Sequence, residues 1–577
     1  MLAQQLTDRA EGNALFAEEI LSFLSERGAL RVVAGKVEFD AGAVASALPA
    51  SVQGLLTARV HRLAPRDRAL LQAASVIGRR FDPQLLACVT DETVEVDARL
   101  AAMQALDLIH PEGASDFAFK HALVRDALYQ SLLTGPRAAL HLKIAEEIEY
   151  RAGNRLPEVV EALAHHYGQT DHADKAFSYL AQAGAKSLGV YSLDHAADYL
   201  GAALAVLDEN PNCATDEQVA NLLADYIFCS NASFQLTSTT KCIDRFASRL
   251  DRLVNNHKKI AIQHHYVLAL LWSGRYYDAQ RAQIVLSSLA LDLGDCRSSA
   301  YELTSEIHLS TIVMPYSTAK FEALSREAIV AASEANDVYL EIIIRNFVGW
   351  EEFHRGRITK ASEAADELMA VGRRMNDRRS IGLAMQLQAW KALTSDDYEG
   401  ALGFAEIGML CACAPFDREA AKNAYVAALV FLTRPEAFQK LQDSMEQCTI
   451  SSWCYLLAGG DGAYGVALAM RGEIGAAIRW LAEAISRREQ EGYRSAADWY
   501  RMFLCEIYLE VISGKEKPSA TVLFRNARTL ASIIFGVQKR ISTLVQRIRQ
   551  NPQLDPNGHH VGRCEMILGR HCHVRPE

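Results

Sequence analysis

Apolar residues recur at helical spacing along most of the chain, and short alternating runs interrupt them near its front. Residues 15–24 carry apolar side chains at helical spacing, and the pattern stops at Gly28, which predicts a first helix. Residues 30–39, LRVVAGKVEF, alternate around a central Gly-Lys pair, and such alternation predicts a small hairpin. The front of the chain is therefore expected to combine one helix with one pair of strands.

Residues 51–150 combine helices with two further short strands. Two helices are predicted first, and the second opens at Pro65, because proline suits the first helical position. Another pair of helices follows, and then short strands at 108–110 and 117–119. Three helices closed by a small β-wing form the winged-helix pattern, so we predict a winged-helix unit here.

From about residue 151 the pattern becomes helix after helix, and the turns repeat. A turn residue stands five places before an alanine that begins an amphipathic helix in GRYYDA, GRITKA, DDYEGA and GEIGAA, with SLDHAA a weaker match. The alanines are Ala197, Ala279, Ala361, Ala401 and Ala477, spaced by one or two units of roughly 40 residues. Stacked helix pairs of this kind form a superhelix with a concave face. The fold class predicted is all-α, with a tetratricopeptide-like superhelix over 151–577; an undifferentiated helical bundle is the alternative.

Composition and charge narrow the class of protein. The 577 residues are too many for one core, and 50% hydrophobic with 23% charged residues is a soluble globular profile. The net charge of −10 argues against a nucleic-acid binder. No apolar run is long enough to span a bilayer, and the first residues do not resemble a secretory signal. The twelve cysteines form no compact framework, so we expect reduced thiols, a cytoplasmic location and no membrane partner.

Three stretches, in this order, resemble the back half of a known class of regulator. They are EGNALFAEEIL, LPASVQGLLTARVHRLAPRDRALLQAASVIGRRFD and FAFKHALVRDALYQSLL, and they are similar to bacterial signal-transduction ATPases of the STAND class, of the type fused to class III adenylate/guanylate cyclase domains. GNALF resembles the segment that opens the ATPase lid. SVIGRRFD resembles a winged-helix motif of the family, with Arg80 in place of an acidic residue. The tail DPNGHHVGRCEMILG also looks like the late repeats of these proteins. The resemblance implies a lid remnant over 1–50, a winged helix over 51–150 and a sensing arm over 151–577.

The chemistry of the parent class has no counterpart in these residues. A phosphate-binding loop needs G-x-x-x-x-G-K-[ST], but Gly-Lys occurs only at Gly35 and Gly514, where Val37 and Glu516 follow the lysine. We therefore predict no catalysis and no cofactor for this chain alone, and the resemblance implies ATP or ADP with Mg²⁺ only for the parent architecture. We expect a product truncated at both ends, whose last helix, in CEMILGRHCHVRPE, lacks a partner and leaves an apolar face uncovered.

One histidine resembles a switch contact. In related ATPases the winged-helix unit ends with a histidine, within a Met-His-Asp type motif, that contacts the phosphate of bound ADP. Here FKHALVRDAL carries Lys120 and Ala122 in place of the Met and the Asp. The resemblance implies that His121 senses the nucleotide state, with Arg125 one helical turn later on the same face. The alternative is a histidine that caps or packs the start of a helix.

Two other groups of residues are weaker candidates. The tail offers His559, His560, Cys564, His571, Cys572 and His573, which zinc accepts as ligands. Their spacing fits no standard finger, so we interpret them as an incidental cluster and predict no metal site. Aromatic residues within the repeats are predicted to wedge helix pairs rather than bind a cofactor; they include Trp272, Trp350, Trp390, Tyr398 and Trp480.

The function these observations favour is signal sensing and protein interaction without catalysis. The repeat arm is expected to bind a protein or a small-molecule ligand. The sequence does not decide whether the chain forms oligomers. One alternative is part of a working ATP-binding cyclase regulator whose catalytic domains lie upstream. The other is a free-standing repeat scaffold that binds a peptide or protein.

Overall fold

The computed structural model describes residues 30–33, 36–39, 62–90, 95–113, 115–253, 257–313, 316–450, 454–513 and 520–573, together with Leu21 and Val60. Apart from Leu21, the helix predicted at 15–24 lies outside these residues. The chain divides into two compact units. The first runs to Ala183 and includes Tyr199–Ala214, and the second comprises Gly184–Asp198 and Thr215–Glu577. None of the described helices is both long and apolar enough to cross a membrane.

The predicted front hairpin is confirmed. Strands β1 (Leu30–Val33) and β2 (Lys36–Phe39) pair antiparallel, with Val33 opposite Lys36.

Three helices and three strands follow in the first unit. They are α1 (Pro65–Ile77), β3 (Arg80–Phe81), α2 (Pro83–Thr90), α3 (Val96–Ala105), β4 (Ile109–Glu112) and β5 (Asp116–Phe119). Strand β5 lies between β3 and β4 and is antiparallel to both. Buried Leu71, Phe81, Leu100 and Phe119 join helices and sheet in one core. The pattern does not predict β3, because two residues are too few to alternate, and the winged-helix assignment stays a prediction.

Helices account for the next part of the chain. These are α4 (Ala122–Gln130), α5 (Thr134–Ala152), a short 3₁₀ turn (Gly153–Arg155), α6 (Leu156–Tyr167), α7 (Ala173–Gly189) and α8 (Leu193–Glu209). Helices α5 and α6 pack against each other, and α5 also packs against α1 and α2.

The rest of the second unit is a stack of helical hairpins. Its helices are α9 (Asp216–Ala232), α10 (Leu236–Asp251), α11 (His257–Trp272), α12 (Tyr276–Leu293), α13 (Cys296–Ile312), α14 (Thr318–Glu334), α15 (Val338–His354), α16 (Ile358–Met375), α17 (Arg378–Thr394), α18 (Tyr398–Cys411), α19 (Pro415–Phe431), α20 (Ala437–Ile450), α21 (Cys454–Met470), α22 (Ile474–Gln490), α23 (Arg494–Ser513), α24 (Ala520–Ile534), α25 (Val537–Arg549) and α26 (His559–His573). Each odd-numbered helix from α9 to α25 packs against the next odd-numbered one. These helices form a continuous layer, the odd-helix layer, and this is the arrangement expected of stacked repeats.

Among the described residues, seven helical hairpins share one turn: the α7–α8 hairpin and six hairpins of the stack. The residue at its centre has a positive φ between 54° and 79°; these residues are Tyr191, Phe234, Gly274, Gly356, Asp396, Thr433 and Gly472. The next amide donates to the carbonyl five residues earlier, as Arg275 N does to Leu270 O at 2.9 Å. This bond and the left-handed residue before it end the first helix of each pair.

The predicted repeat signature is confirmed at four hairpins and shifted at one. Ala279, Ala361, Ala401 and Ala477 are all 0–2% exposed, because a small side chain lets two helices cross closely. In the fifth, the buried alanine is Ala196, not Ala197. The sequence pattern does not predict the turns at Phe234 and Thr433, because neither residue favours a left-handed backbone.

The last helix is covered, so the expectation of an exposed apolar face was wrong. Helix α26 packs against α23 and α25, and Cys564 and Ile567 are at most 2% exposed. The residues before it reach back to much earlier hairpins. Gln553 Nε2 donates to Ser310 O at 3.1 Å, and His559 N donates to Gly356 O at 2.8 Å.

Candidate functional site

The odd-helix layer surrounds a cavity of about 150 Å³. Ten aromatic residues line it: Trp272, Phe347, Trp350, Phe353, Trp390, Phe416, Tyr493, Trp499, Tyr500 and Phe503. Five polar residues join them: His308, Asn346, His354, Gln386 and Asn423. The lining residues belong to α11, α13, α15, α17, α19, α21 and α23 or directly precede one of them, so the cavity is a product of the stacked layer.

Helical spacing brings these side chains to one place. On α15, Asn346, Trp350 and His354 lie four residues apart and share one face of the helix. The same rule places Ala496, Trp499 and Phe503 on one face of α23. Each helix thus contributes one stripe of side chains to the cavity.

Two glycines of α21 make room for the rings. A Cβ atom added at Gly459 would lie 3.1 Å from the Trp390 ring, and one added at Gly462 would lie 3.1 Å from both Phe503 and Tyr500. Side chains there would push the rings aside. The run GGDGAYG within a helix is the one sequence signal that could have indicated this close approach.

The aromatic side chains fix one another in position. Phe353 stacks on Trp499 with ring centroids 5.4 Å apart, and Trp390 meets Trp499 edge to face at 6.2 Å. His308 stacks on Phe347 at 4.1 Å. Offset and edge-to-face contacts of this kind are favourable, so the shape of the cavity is set before any ligand arrives.

Three buried polar atoms of lining residues have no hydrogen-bond partner: Asn346 Oδ1, His354 Nδ1 and Trp499 Nε1. The Trp499 atom can only donate, and the Asn346 oxygen can only accept. Leaving such groups unpaired is costly, so a bound molecule that pairs with them gains affinity. Neighbouring polar groups are already engaged, because Trp272 Nε1 donates to His308 Nε2 at 2.5 Å.

The lining carries no formal charge near neutral pH. Among the described residues that form it, none is Asp, Glu, Lys or Arg. Burial lowers the pKa of His354 to about 4, and burial together with the nearby His354 lowers the pKa of His308 to about 3. Both imidazoles are therefore neutral at pH 7, and a cavity of this kind favours a neutral ligand over an ion.

The predicted packing role of the repeat aromatics is confirmed. Tyr398 stacks on Phe431 at 5.0 Å, and Trp480 lies 4.7 Å from the Tyr464 ring, so both pack between neighbouring helices. Trp272, Trp350 and Trp390 also pack against the helical cores, and they line the cavity as well. The sequence could not separate the two groups, because both recur at the same helical spacing.

His121 directly precedes α4 and is half-buried. His121 is the N-cap residue of α4, but its side chain makes no capping hydrogen bond. The alternative of a histidine that packs at the start of the helix stays a prediction. Arg125, one turn later, donates through Nε to Asp126 Oδ1 at 3.0 Å. The nucleotide-sensing role of both residues stays a prediction.

Histidines that the sequence analysis singled out as weak zinc ligands are used differently. His560 is 2% exposed and meets the rings of Phe353 and Trp499 edge to face. The side chains of His571, Cys572 and His573 lie outside the described residues. A different set, His141, His165 and His166, lies close together in the first unit. Spacing did not indicate it, because its members come from two helices.

Comparisons with known proteins give similarities to solved structures but not to curated proteins or family models. Among solved structures, a Signal Transduction ATPase with Numerous Domains (STAND) protein with a tetratricopeptide repeat sensor, from Pyrococcus horikoshii, aligns with a TM-score of 0.45 at 11% identity. The alignment covers 86% of this chain and 71% of that one. Similarity at this level does not show which family this chain belongs to.

Proposed function

We propose that this chain is the signal-sensing region of a STAND-class regulator, and that its helical repeats receive the signal as a small neutral ligand. The ordered motifs in residues 11–21, 48–82 and 117–133 support the class of protein. The aromatic cavity in the odd-helix layer supports the kind of signal, and it is the observation on which the proposal rests.

The inner volume of the cavity, which is partly open to solvent, suits a ligand of about one ring. An engineered protein cavity of about 150 Å³ lined by apolar side chains binds benzene, and the cavity here is about 150 Å³. The aromatic walls favour a flat apolar body. Trp499 Nε1 and Asn346 Oδ1 call for one acceptor and one donor on that body. A single ring with a neutral amide or a similar group meets all three demands.

Benzamide and benzoate test this proposal, because they share a ring and differ in charge. We expect tryptophan fluorescence to report saturable benzamide binding, since four tryptophans line the cavity. Benzoate should bind at least about tenfold more weakly, because its charge loses hydration that the uncharged lining does not replace. Equal binding of the two compounds, or no saturable binding of either, contradicts the proposal.

The scaffold alternative predicts a different result. An extended peptide needs a groove several residues long, whereas the cavity holds about one ring. If peptides bind and benzamide does not compete with them, the concave surface acts as a scaffold.

The remaining alternative is a nucleotide-binding regulator, with ATP or ADP and Mg²⁺. A fluorescent ATP analogue tests it on the same protein. Nucleotide binding that requires His121 would support the nucleotide-sensing role. We expect no nucleotide binding by this chain, because it carries no phosphate-loop motif.

A further inference from the structure

Three histidines of the first unit form a compact cluster, the histidine cluster, made of His141 from α5 with His165 and His166 from the end of α6. Their ring centroids are 5.1–5.6 Å apart. One nitrogen from each ring can be chosen so that all three lie within 4.8 Å of one another. Adjacent residues on a helix normally diverge. Here His141, from the neighbouring helix, lies close to both rings.

Two of the rings are buried and one is accessible. His141 is 0% exposed and His166 is 3% exposed, whereas His165 is exposed. The buried pair is joined by a hydrogen bond between the two Nδ1 atoms at 2.9 Å. The cluster therefore combines a fixed inner pair with one side chain through which an ion can enter from solvent.

The two nitrogens of the inner pair are separated by nearly the distance found between two metal ligands. Zinc binds imidazole nitrogen at about 2.0–2.1 Å, so two nitrogens in a tetrahedral site are roughly 3.3 Å apart. The 2.9 Å separation of the His141 and His166 Nδ1 atoms is within a few tenths of an ångström of that value. His165 has to approach by up to about 1.5 Å, which its exposed side chain can do by a change of rotamer.

The surroundings prepare His141 for coordination. The Tyr129 hydroxyl lies 3.0 Å from His141 Nε2. When Nε2 donates its proton to that hydroxyl, the Nδ1 lone pair of His141 accepts the hydrogen bond from His166 Nδ1. A metal ion takes the place of that hydrogen bond, and the proton of His166 moves from Nδ1 to Nε2. An outer partner such as Tyr129 is usual for metal-bound histidine.

Two arginines place positive charge near the histidine cluster. Arg137 lies over the Tyr129 ring at 5.0 Å, and Arg125 lies near His165. Their charges oppose a dication, so an anion or hydroxide in an open fourth position is needed to offset them.

We propose that His141, His165 and His166 form a three-histidine site for a zinc-class dication, with one position left for solvent or an anion. Tyr129 is a positioning residue, which holds the His141 ring through Nε2 and does not touch the metal. The site is independent of the aromatic cavity and of its ligand.

The test is a zinc titration of the full chain, without an affinity tag and after removal of metal by a chelator. Zinc is measured by competition with a chromogenic indicator, and Co²⁺ is used as an absorbing substitute. We expect one zinc per chain and a visible Co²⁺ spectrum of tetrahedral type. His165→Gln should weaken zinc binding by at least about tenfold, and Tyr129→Phe by roughly tenfold, because outer partners typically contribute that much.

The controls separate the histidine cluster from other histidines. His172→Gln changes an exposed residue just after α6 and should bind zinc like the parent chain. His165 is exposed, so its variant should fold even if substitution of the buried His166 does not. Zinc affinity that is the same in His165→Gln and His172→Gln overturns the proposal. So does binding that is lost in His573→Gln instead, or the absence of bound zinc when zinc is in large excess.

Discussion

At the scale of single residues, buried charge is concentrated where distant parts of the second unit meet. Arg355 is 0% exposed and pairs with Glu351 at 2.7 Å. Its guanidinium also donates to the carbonyls of Tyr316 at 3.0 Å and Gln553 at 3.3 Å. One side chain thus connects three segments.

Replacing Arg355 by methionine should destabilise the second unit by about 3–5 kcal/mol, because it leaves the Glu351 carboxylate buried without its arginine. Urea unfolding followed by circular dichroism measures this. The double variant Arg355→Met/Glu351→Leu should recover part of the loss, since no buried charge is left. A single variant as stable as the parent chain would show that the pair is not buried as described.

The sequence could not predict which residues come together to line the cavity. Trp272 and Trp499 both line it, although most of the repeat region separates them in the chain. Helical spacing places each residue on a face of its own helix. It does not say which faces meet, because that depends on how much each hairpin rotates relative to the next.

At the scale of elements, the turn within each hairpin was predictable where glycine or aspartate marks it. Gly274, Gly356 and Gly472 have φ values of 75–79°, and glycine adopts this conformation without a steric penalty. Phe234 and Thr433 adopt it without such a preference. The repeat of helical hairpins was therefore visible in the sequence, but the turns at Phe234 and Thr433 were not.

Replacing glycine by alanine should have opposite effects on stability in a turn and in a helix. Gly274→Ala should destabilise the chain by about 1–2 kcal/mol, because alanine is strained at a positive φ, although its Cβ meets no atom within 4 Å. Gly403→Ala lies exposed inside α18 and also meets nothing within 4 Å. It should stabilise the chain by roughly 0.5–1 kcal/mol. Thermal unfolding of both variants measures the two signs, and a stabilising Gly274→Ala would contradict the assigned turn.

At the scale of the second unit as a whole, buried neutral histidines are frequent. Burial is the main cause of a lowered pKa at His264, His265, His308, His354 and His560. The printed sequence shows these residues, but their burial follows only from the packing of the odd-helix layer.

These histidines should make the unit sensitive to mild acid. The folded pKa values of His265, His308, His354 and His560 are about 4 or lower, against 6.5 when unfolded, and burial also lowers the pKa of His264 well below 6.5. The unfolded chain therefore binds more protons below pH 6.5, and the free energy of unfolding falls as pH falls from 6.5 towards 4. Each histidine contributes about 1.4 kcal/mol per pH unit in this range. Asp498 acts in the opposite direction, because burial raises its pKa to about 6.

Urea midpoints at pH 7.5 and pH 5.5 measure the effect, and the midpoint should be clearly lower at pH 5.5. His308→Gln should reduce the difference, because it removes one of the buried imidazoles. Equal midpoints at the two pH values would mean that these histidines are hydrated in solution.

The most direct test of the ligand cavity compares two tryptophans. Trp499 lines the cavity with its Nε1 unpaired, whereas Trp480 lies outside the cavity lining and donates Nε1 to Asp461 O at 3.0 Å. The measurement is the benzamide affinity of Trp499→Phe and Trp480→Phe by calorimetry. We predict a loss of about tenfold for Trp499→Phe, the value of one hydrogen bond, and no change for Trp480→Phe. Equal affinities in both variants and the parent chain would contradict a ligand site in this cavity.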